Sequence, residues 1–340
     1  MRLASIALAT LLVALSSPVW AQEMKAETVL SGLYNPCGVA IQPETGHVFV
    51  ADSGHGKVIR VVDGKAEDVI VGYAMDVYGK GPMYDIGPLG LAFLDKDTLV
   101  VGGGSHPDGE EKLSVYKVPA VGADPVNASD AVTQMSLEAT DEVKGEGNFY
   151  ALCITSKGVY VTCNGDDTKG WVSKAAINDG KVGPFERFLA TKEAVQVDAP
   201  VGITVSPRGE LVVGQMGEIT IPGDSLLTFY NEEGEMLANF ETGLSDITAV
   251  AYSPKGESED RQLYATDFAW HDTSEGGLFQ LIGEMDGEKM VVRTNKIASL
   301  DKPTAMAFAD DGSLYVLVIG TDAEGGSKDS GKLLKIGPGL

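Results

Sequence analysis

The stretch from Asn35 to Val62 reads NPCGVAIQPETGHVFVADSGHGKVIRVV, and it decides the fold. It contains three short apolar runs, rich in Val and Ile, that are separated by two segments of Pro, Gly, Thr and other turn-forming residues. Short β-branched runs between turn formers are typical of antiparallel strands joined by tight hairpins. The stretch therefore predicts three neighbouring strands of one sheet.

The same pattern begins six times along the chain. Each copy opens with a Pro or an apolar residue, has a small residue two positions later and continues with apolar runs; the copies begin at Pro36, Pro88, Phe149, Pro200, Ile247 and Pro303. Later runs in the copies include Leu314 to Val318, Trp171 to Ala175 and Phe185 to Leu189. The copies are roughly 50 residues apart, which fits four strands and their turns. We therefore predict an all-β fold, a six-bladed β-propeller of four-stranded antiparallel blades.

The two ends of the chain predict how the ring closes. The sixth copy stops at Ile336, after its third strand, and an extended segment from Ala26 to Leu30 precedes the first copy. An unpaired edge strand invites pairing with other chains. We expect the N-terminal segment to supply the missing fourth strand of the last blade.

The first residues are predicted to lie outside this fold. Arg2 precedes an apolar run from Leu3 to Leu15, and Val19-Trp20-Ala21 has small or tolerated residues where a signal peptidase cleaves. We expect a signal peptide over residues 1–21 and a single exported domain over residues 22–340, in the periplasm or outside the cell. The alternative is a retained N-terminal anchor. No later run approaches the roughly 20 apolar residues of a membrane span.

Composition narrows the classes of function. The 340 residues include 26 Lys and Arg against 49 Asp and Glu, a formal net charge of −23. Such acidity excludes a nucleic-acid clamp, which needs clustered positive charge, and it disfavours an anionic membrane surface. The hydrophobic fraction of 44% indicates a packed core, and we expect a monomer. Because the three cysteines, Cys37, Cys153 and Cys163, are odd in number, we expect small buried residues and no disulfide framework.

The opening stretch resembles a known repeat. Asn35 to Ala40, Gly46 to Asp52 and Lys57 to Val61 look like one NHL repeat of the six-bladed propeller superfamily, and the later copies lose its Ala-Asp ending. That superfamily includes calcium-dependent lactonases of the gluconolactonase and paraoxonase type, lyases, sugar dehydrogenases that use pyrroloquinoline quinone, and binding modules. The resemblance implies a site on the face that carries the loops from second to third strands and the connections between blades.

Three of the four histidines fall in loops of that face. His55, His106 and His271 each follow the end of a predicted second strand by three or four residues. Radially repeated positions converge on the axis of a propeller, so these imidazoles, with nearby aspartates, are candidates for a metal or acid–base catalytic site. The alternative is that they are solvated loop side chains.

An aromatic connection belongs to the same face. The 17 residues from Gly72 to Pro88 include Tyr73, Tyr78 and Tyr84, and Trp270 lies in another loop of that face. Aromatic rings over a channel mouth suit stacking on a flat or saccharide-like ligand. The alternative is a loop that covers the core with its own tyrosines.

Oxygen-bearing side chains recur just before the first strands. Asn35, Asn148, Asp198 and Asp246 occupy this place in four copies, and together they could hold one hard cation such as calcium. The Asn-Gly and Asp-Gly phrases of the lactonases are missing from these positions. This departure from the family pattern argues against lactonase activity.

These observations favour a binding or scaffold module that takes a protein or a saccharide-like ligand at its loop-rich face. The alternative is a hydrolase or lyase of the lactonase-like type that uses a divalent cation and the three histidines. Electron transfer with a quinone cofactor ranks third, because most of the arginines lie in predicted strands or hairpin turns and not on the channel. The sequence leaves open whether the protein is an enzyme.

Overall fold

All six blades are present in the structure, a computed structural model that describes residues 23–79, 82–165, 168–254, 261–322 and 327–340. The predicted signal peptide, residues 1–21, lies outside these ranges. In the described residues, six sheets of four or five strands surround a central channel, and the innermost strand of each contacts the innermost strands of both neighbours. This closed ring confirms the six-bladed β-propeller. No helix in these ranges is long and apolar enough to cross a membrane.

The strands are numbered in chain order, and the blades from 1 to 6. Strand β1 (Ala26–Leu33) comes first, and blade 1 then contains β2 (Pro36–Ile41), β3 (Val48–Asp52), β4 (Lys57–Val62) and β5 (Lys65–Val71). The connection to blade 2 holds a separate hairpin of β6 (Asp76–Tyr78) and β7 (Tyr84–Ile86). Blade 2 contains β8 (Pro88–Asp95), β9 (Thr98–Gly103), β10 (Leu113–Lys117) and, after the short β11 (Val126–Asn127), β12 (Thr133–Met135). Strand β11 pairs in parallel with β5, at the outer edge of blade 1.

The second half of the chain repeats the arrangement. Blade 3 contains β13 (Leu152–Thr155), β14 (Gly158–Thr162), β15 (Trp171–Asn178) and β16 (Lys181–Ala190). The short helix α1 (Thr191–Val195) leads to blade 4, with β17 (Pro200–Val205), β18 (Leu211–Gln215), β19 (Leu226–Tyr230) and β20 (Met236–Glu241). Blade 5 contains β21 (Ile247–Tyr252), β22 (Leu263–Asp267), β23 (Gly277–Asp286) and β24 (Lys289–Ser299). Blade 6 contains β25 (Pro303–Phe308), β26 (Leu314–Val318) and β27 (Gly331–Ile336). Two 3-10 turns, Ser53–His55 and Ala128–Asp130, complete the elements.

The N-terminal strand closes the ring, as predicted. Strand β1 pairs antiparallel with β27, from Ala26 opposite Ile336 to Leu33 opposite Gly331, and it is three residues longer than expected. Leu33 is buried in the core cluster between blades 6 and 1, where it packs with Leu333. The ring is therefore closed by strand pairing, and all three cysteines are free.

The small residue of each repeat has a steric cause. A Cβ atom on Gly38 would lie 2.0 Å from the carbonyl oxygen of Leu89, in the next blade. A Cβ atom on Gly90 would lie 2.6 Å from the carbonyl oxygen of Tyr150, one blade further on. The innermost strands approach too closely for a larger residue, so these glycines set the tight packing of the blades around the channel.

Each of the six interfaces between blades has its own buried core cluster. Phe49 and Leu99 pack between blades 1 and 2, and Tyr160 and Leu211 between blades 3 and 4. Each large apolar side chain buried in this way contributes about 1.5–3 kcal/mol. The blades therefore form a rigid base for the loops at the mouth of the channel.

Blade 3 departs from the predicted pattern at its start. The copy was expected to open at Phe149, but strand β13 begins at Leu152. Phe149 is fully buried in the core cluster between blades 2 and 3, and Tyr150 turns into the channel. These two aromatic residues therefore lie before the first strand of blade 3, one in the core and one at the channel.

Candidate binding site at the channel mouth

One position of the repeat lines the central channel in every blade. It is the residue directly before the small residue, and its six occupants are Cys37, Leu89, Tyr150, Val201, Thr248 and Thr304. The Thr248 hydroxyl donates to the carbonyl of Pro303 at 2.8 Å, and the Thr304 hydroxyl donates to the carbonyl of Pro36 at 2.6 Å. The two threonines of the ring thus connect blades 5, 6 and 1. The apolar members face the space above the ring.

Tyr150, the largest member of this ring, closes the channel. Its hydroxyl, on blade 3, donates to the carbonyl of Thr304 on blade 6 at 3.0 Å. Blades 3 and 6 stand opposite each other, so the phenol spans the channel. Burial raises the pKa of Tyr150 well above its usual range, and the nearby Cys37 adds to the effect. Tyr150 is therefore a neutral floor that separates the mouth from the lower channel.

The β6–β7 hairpin, here called the mouth hairpin, covers the channel from above. At its base, the Tyr34 hydroxyl donates to Asp85 Oδ2 at 2.9 Å, and Asn35 Nδ2 donates to the Asp85 carbonyl at 3.0 Å. At its tip, Asn164 of blade 3 donates through Nδ2 to the Tyr78 hydroxyl at 3.1 Å. The hairpin is thus tied to blades on both sides of the channel mouth.

Strand β7 of the mouth hairpin packs through Tyr84 against an aromatic cluster. The Tyr84 and Trp270 rings meet edge to face at 5.9 Å, and the Phe268 and Trp270 rings stack at 4.5 Å. Ile319 of blade 6 completes this buried cluster. Residues from the connection between blades 1 and 2 therefore contact blades 5 and 6 directly.

Between the Tyr150 floor and the mouth hairpin lies a cavity of about 160 Å³. This volume is similar to that of engineered protein cavities, about 150 Å³, that hold benzene. Its walls are mostly apolar and aromatic, and they include Leu89, Val201, Met216, Phe268 and Trp270. Polar side chains stand among these walls, as in sites for small molecules; they include Asn35, Asn148, Asn164, Asp198 and Glu218.

Two polar atoms of the lining are buried with no hydrogen-bond partner among the described residues. They are the Tyr84 hydroxyl and Asp198 Oδ1. The other oxygen of Asp198, Oδ2, lies 2.6 Å from Lys192 Nζ. Burial raises the pKa of Tyr84 to about 12, with smaller contributions from Asp301 and Cys37. The phenol is therefore neutral at physiological pH and keeps a proton that it can donate.

Three of the four predicted cation ligands lie at this cavity. Asn35, Asn148 and Asp198 line it, and the two asparagines have left-handed backbones, with φ of 44° and 47°. Asn tolerates this conformation better than most residues. Asp246 lies behind the wall, where its Oδ2 accepts from the Trp270 amide at 2.6 Å. Burial raises the pKa of Asp246 to about 7, so this carboxyl supports the Trp270 loop from outside the cavity.

The oxygen donors suit a hard cation in kind, but the charge at the site is low. Asn35, Asn148 and Asp198 supply neutral amides and one carboxylate, and Lys192 already pairs with that carboxylate. In the described ranges, no group of three or more His, Cys, Asp or Glu side chains is placed to hold a metal ion. The cation role of this set stays a prediction.

The three candidate histidines lie away from the cavity. His55 bridges Asp52 Oδ2, at 2.8 Å from Nδ1, and Asp329 Oδ1, at 3.0 Å from Nε2. It thereby joins a loop of blade 1 to a loop of blade 6. His106 and His271 are exposed. The structure does not bring the three imidazoles into one metal cluster, and their catalytic role stays a prediction.

The four predicted aromatic ligand contacts divide into two groups. Tyr78, Tyr84 and Trp270 line the cavity. Tyr73 instead packs in the core between blades 1 and 2, with its ring 6.5 Å from that of Tyr116. Tyr73 therefore covers the core, which was the alternative prediction for this connection. Tyr78, Tyr84 and Trp270 surround the cavity.

Sequence reasoning missed part of the cavity wall. Met216, Phe268 and Ile319 hold the same place in blades 4, 5 and 6, directly after the second strand. The repeats could have predicted these three residues, because the residue that follows the second strand occupies the same place in each copy. Asn164 was missed as a partner of the mouth hairpin, since its contact with Tyr78 spans 86 positions of the sequence.

Comparison with solved structures finds the same architecture in several proteins. An aldose sugar dehydrogenase from Streptomyces coelicolor, bound to PQQ, matches with a TM-score of 0.61 and 14% identity over 92% of this chain and 97% of that one. A soluble aldose sugar dehydrogenase from Escherichia coli matches at 0.59 and 13%, over 93% and 100%. A gluconolactonase from Xanthomonas campestris matches at 0.53 and 13%, over 91% and 88%. The chain shares their six-bladed β-propeller fold.

The similarity stops at the fold. No family model matches the sequence, and no curated protein matches it. The resemblance to the propeller superfamily is thus confirmed as architecture, whereas the NHL repeat itself has no matching model. Propellers of this kind host different chemistries, so function has to be argued from the cavity of this chain.

Proposed function

We propose that this propeller binds a small saccharide-like molecule in the cavity between the Tyr150 floor and the mouth hairpin. The observation that carries the proposal is the pair of buried, unpartnered polar atoms in the lining, the Tyr84 hydroxyl and Asp198 Oδ1. A buried polar group without a partner costs about 1–3 kcal/mol. A ligand hydroxyl beside either atom would recover that free energy on binding.

The rest of the lining supports the same class of ligand. A sugar ring has an apolar face that packs on aromatic side chains, and Trp270 and Tyr84 line the cavity. Its hydroxyls need both donors and acceptors, which the amides of Asn35, Asn148 and Asn164 supply. No scaffold role is needed to explain these features.

A second candidate is a cation-dependent hydrolase of the lactonase type. It is favoured by one observation, the place of Asn35, Asn148 and Asp198 around a single cavity. Calcium takes six to eight oxygen ligands from carboxylates, amides and water, so this set would have to be completed by solvent and substrate. In that case the cation would polarise the lactone carbonyl. Thermal melts with calcium and with chelator test this candidate, because a bound cation raises the melting temperature.

A quinone-dependent activity fits the cavity poorly. The Streptomyces structure is described as PQQ-bound, and an anionic cofactor of that kind would require cationic side chains. Among the described residues that line the cavity there is no Lys or Arg. The residues present therefore do not match that cofactor, and no redox step is proposed.

Isothermal titration of the purified protein with glucose, glucosamine and gluconolactone tests the proposal. We expect saturable binding of at least one of these sugars, and weaker binding of the same sugar by Tyr84→Phe. Tyr315→Phe is the matched control, because Tyr315 lies on β26, outside the cavity. Equal affinities in the wild type and both variants, or no binding by the wild type, would contradict the proposal.

A further inference from the structure

The charged groups of the cavity lining are acidic. Asp198 and Glu218 are the carboxylates among the described lining residues, and these residues include no Lys, Arg or His. Lys192 pairs with Asp198 Oδ2 at 2.6 Å from outside the lining and offsets one of these two negative charges. The lining and Lys192 together therefore carry one net negative charge, which favours a positively charged group.

A further carboxylate stands behind the wall. Asp224 accepts from the Glu218 amide at 3.0 Å, whereas burial raises the pKa of Asp246 to about 7, so that carboxyl is largely neutral at pH 6. The net charge of the whole chain, −23, adds a long-range attraction for cations and repels anions. Lys192, paired with Asp198, offsets part of this field.

The aromatic cluster adds a second kind of attraction. Tyr84, Phe268 and Trp270 lie in mutual contact, with ring centroids 4.5–5.9 Å apart, and all three line the cavity. Aromatic faces carry negative electrostatic potential and bind ammonium groups, most strongly where water is excluded. Tyr84 is only 5% exposed, so little water reaches this residue of the cluster.

From the acidic lining and the aromatic cluster we infer that the ligand carries a protonated amino group, as an amino sugar does. The ammonium group would donate to Asp198 Oδ1, which is buried and has no partner, and would lie against the aromatic cluster. The sugar ring would pack on Trp270, and its hydroxyls would bond to the amides. This inference rests on the proposed function and specifies the class of saccharide.

A comparison of sugars tests the inference on the unmodified protein. We titrate the protein with glucosamine, with N-acetylglucosamine, whose nitrogen is uncharged, and with glucuronate, an anion, at about pH 6, where an aliphatic amine is protonated. Charge-assisted hydrogen bonds are about twice as strong as neutral ones. We therefore expect glucosamine to bind about tenfold more tightly than N-acetylglucosamine, and glucuronate to bind most weakly.

Two variants test whether Asp198 causes the preference for a positively charged sugar. Asp198→Asn is expected to remove the preference for glucosamine, whereas Glu193→Gln is expected to keep it, because Glu193 is an exposed acid paired with Lys169. If N-acetylglucosamine or glucose binds as tightly as glucosamine, the inference is overturned and the proposed function stands. If no sugar binds at all, both are overturned. A preference that survives in folded Asp198→Asn protein also overturns the inference.

Discussion

Removing the Tyr84 hydroxyl should stabilise the protein while weakening ligand binding. The hydroxyl is buried and has no hydrogen-bond partner among the described residues, and the side chain is 5% exposed. Burial of such a group costs about 1–3 kcal/mol, and Phe keeps the ring and its contact with Trp270. Taking the low end of that range, Tyr84→Phe should raise the free energy of unfolding by about 1 kcal/mol.

The matched comparison is Tyr150→Phe, at the floor of the same cavity. The Tyr150 hydroxyl has a partner, the Thr304 carbonyl at 3.0 Å. Its removal should lower the free energy of unfolding by about 1 kcal/mol, because a hydrogen bond in the interior of the channel is lost. One kcal/mol corresponds to about 2 °C in a domain of this size.

Differential scanning calorimetry of the two variants, without ligand, measures both effects. We expect the melting temperature of Tyr84→Phe to rise by about 2 °C and that of Tyr150→Phe to fall by about 2 °C. A drop of several degrees for Tyr84→Phe would show that the hydroxyl already has a partner in the folded protein. That result would refute the reasoning that it is available for a ligand.

Three other predictions concern pH, ring closure and the mouth hairpin. The pKa of Asp246 is raised from 3.8 to about 7 in the folded protein, so the folded state binds an extra proton between these values and stability falls as the pH rises. The melting temperature of Asp246→Asn should therefore fall less between about pH 4 and pH 7 than that of the wild type, and thermal melts across that range measure the difference. Leu33→Ala, in the closing strand, should cost about 2–5 kcal/mol in urea unfolding, whereas Thr28→Ala, exposed on the same strand, should cost under about 0.5 kcal/mol; equal losses would argue against closure by this strand. Asn164→Ala removes the bond to Tyr78 and should speed ligand dissociation in stopped-flow measurements; an unchanged rate would mean that the hairpin does not control release.

The repeat made the fold predictable. A small residue two positions into each copy marked the innermost strands, and Gly38 shows why, since a Cβ atom there would meet the Leu89 carbonyl. The closing strand was equally predictable, because β27 lacked a partner at Ile336 and the segment from Ala26 had none either. Packing that repeats in every blade can therefore be predicted from short stretches of sequence.

The candidate site was less predictable, because it depends on parts of the chain that do not repeat. The connection that contains Tyr84 folds as a hairpin that contacts Trp270 and Ile319, four and five blades further along the chain. The sequence repeat does not predict contacts of this kind. His55 shows the converse: its position in the repeat suggested the channel axis, but its ring binds Asp329 at the seam between blades 6 and 1.

The place of ligand binding can be tested most directly through Trp270. Of the two tryptophans in the described residues, Trp270 lines the cavity, and Trp171 packs in the core between blades 2 and 3. The measurement is the tryptophan emission of Trp171→Phe during titration with glucosamine, with Trp270→Phe as the control. We predict a saturable change in Trp171→Phe that is absent in Trp270→Phe. A change that persists in Trp270→Phe, or saturable binding by calorimetry with no change in Trp171→Phe, would contradict binding in this cavity.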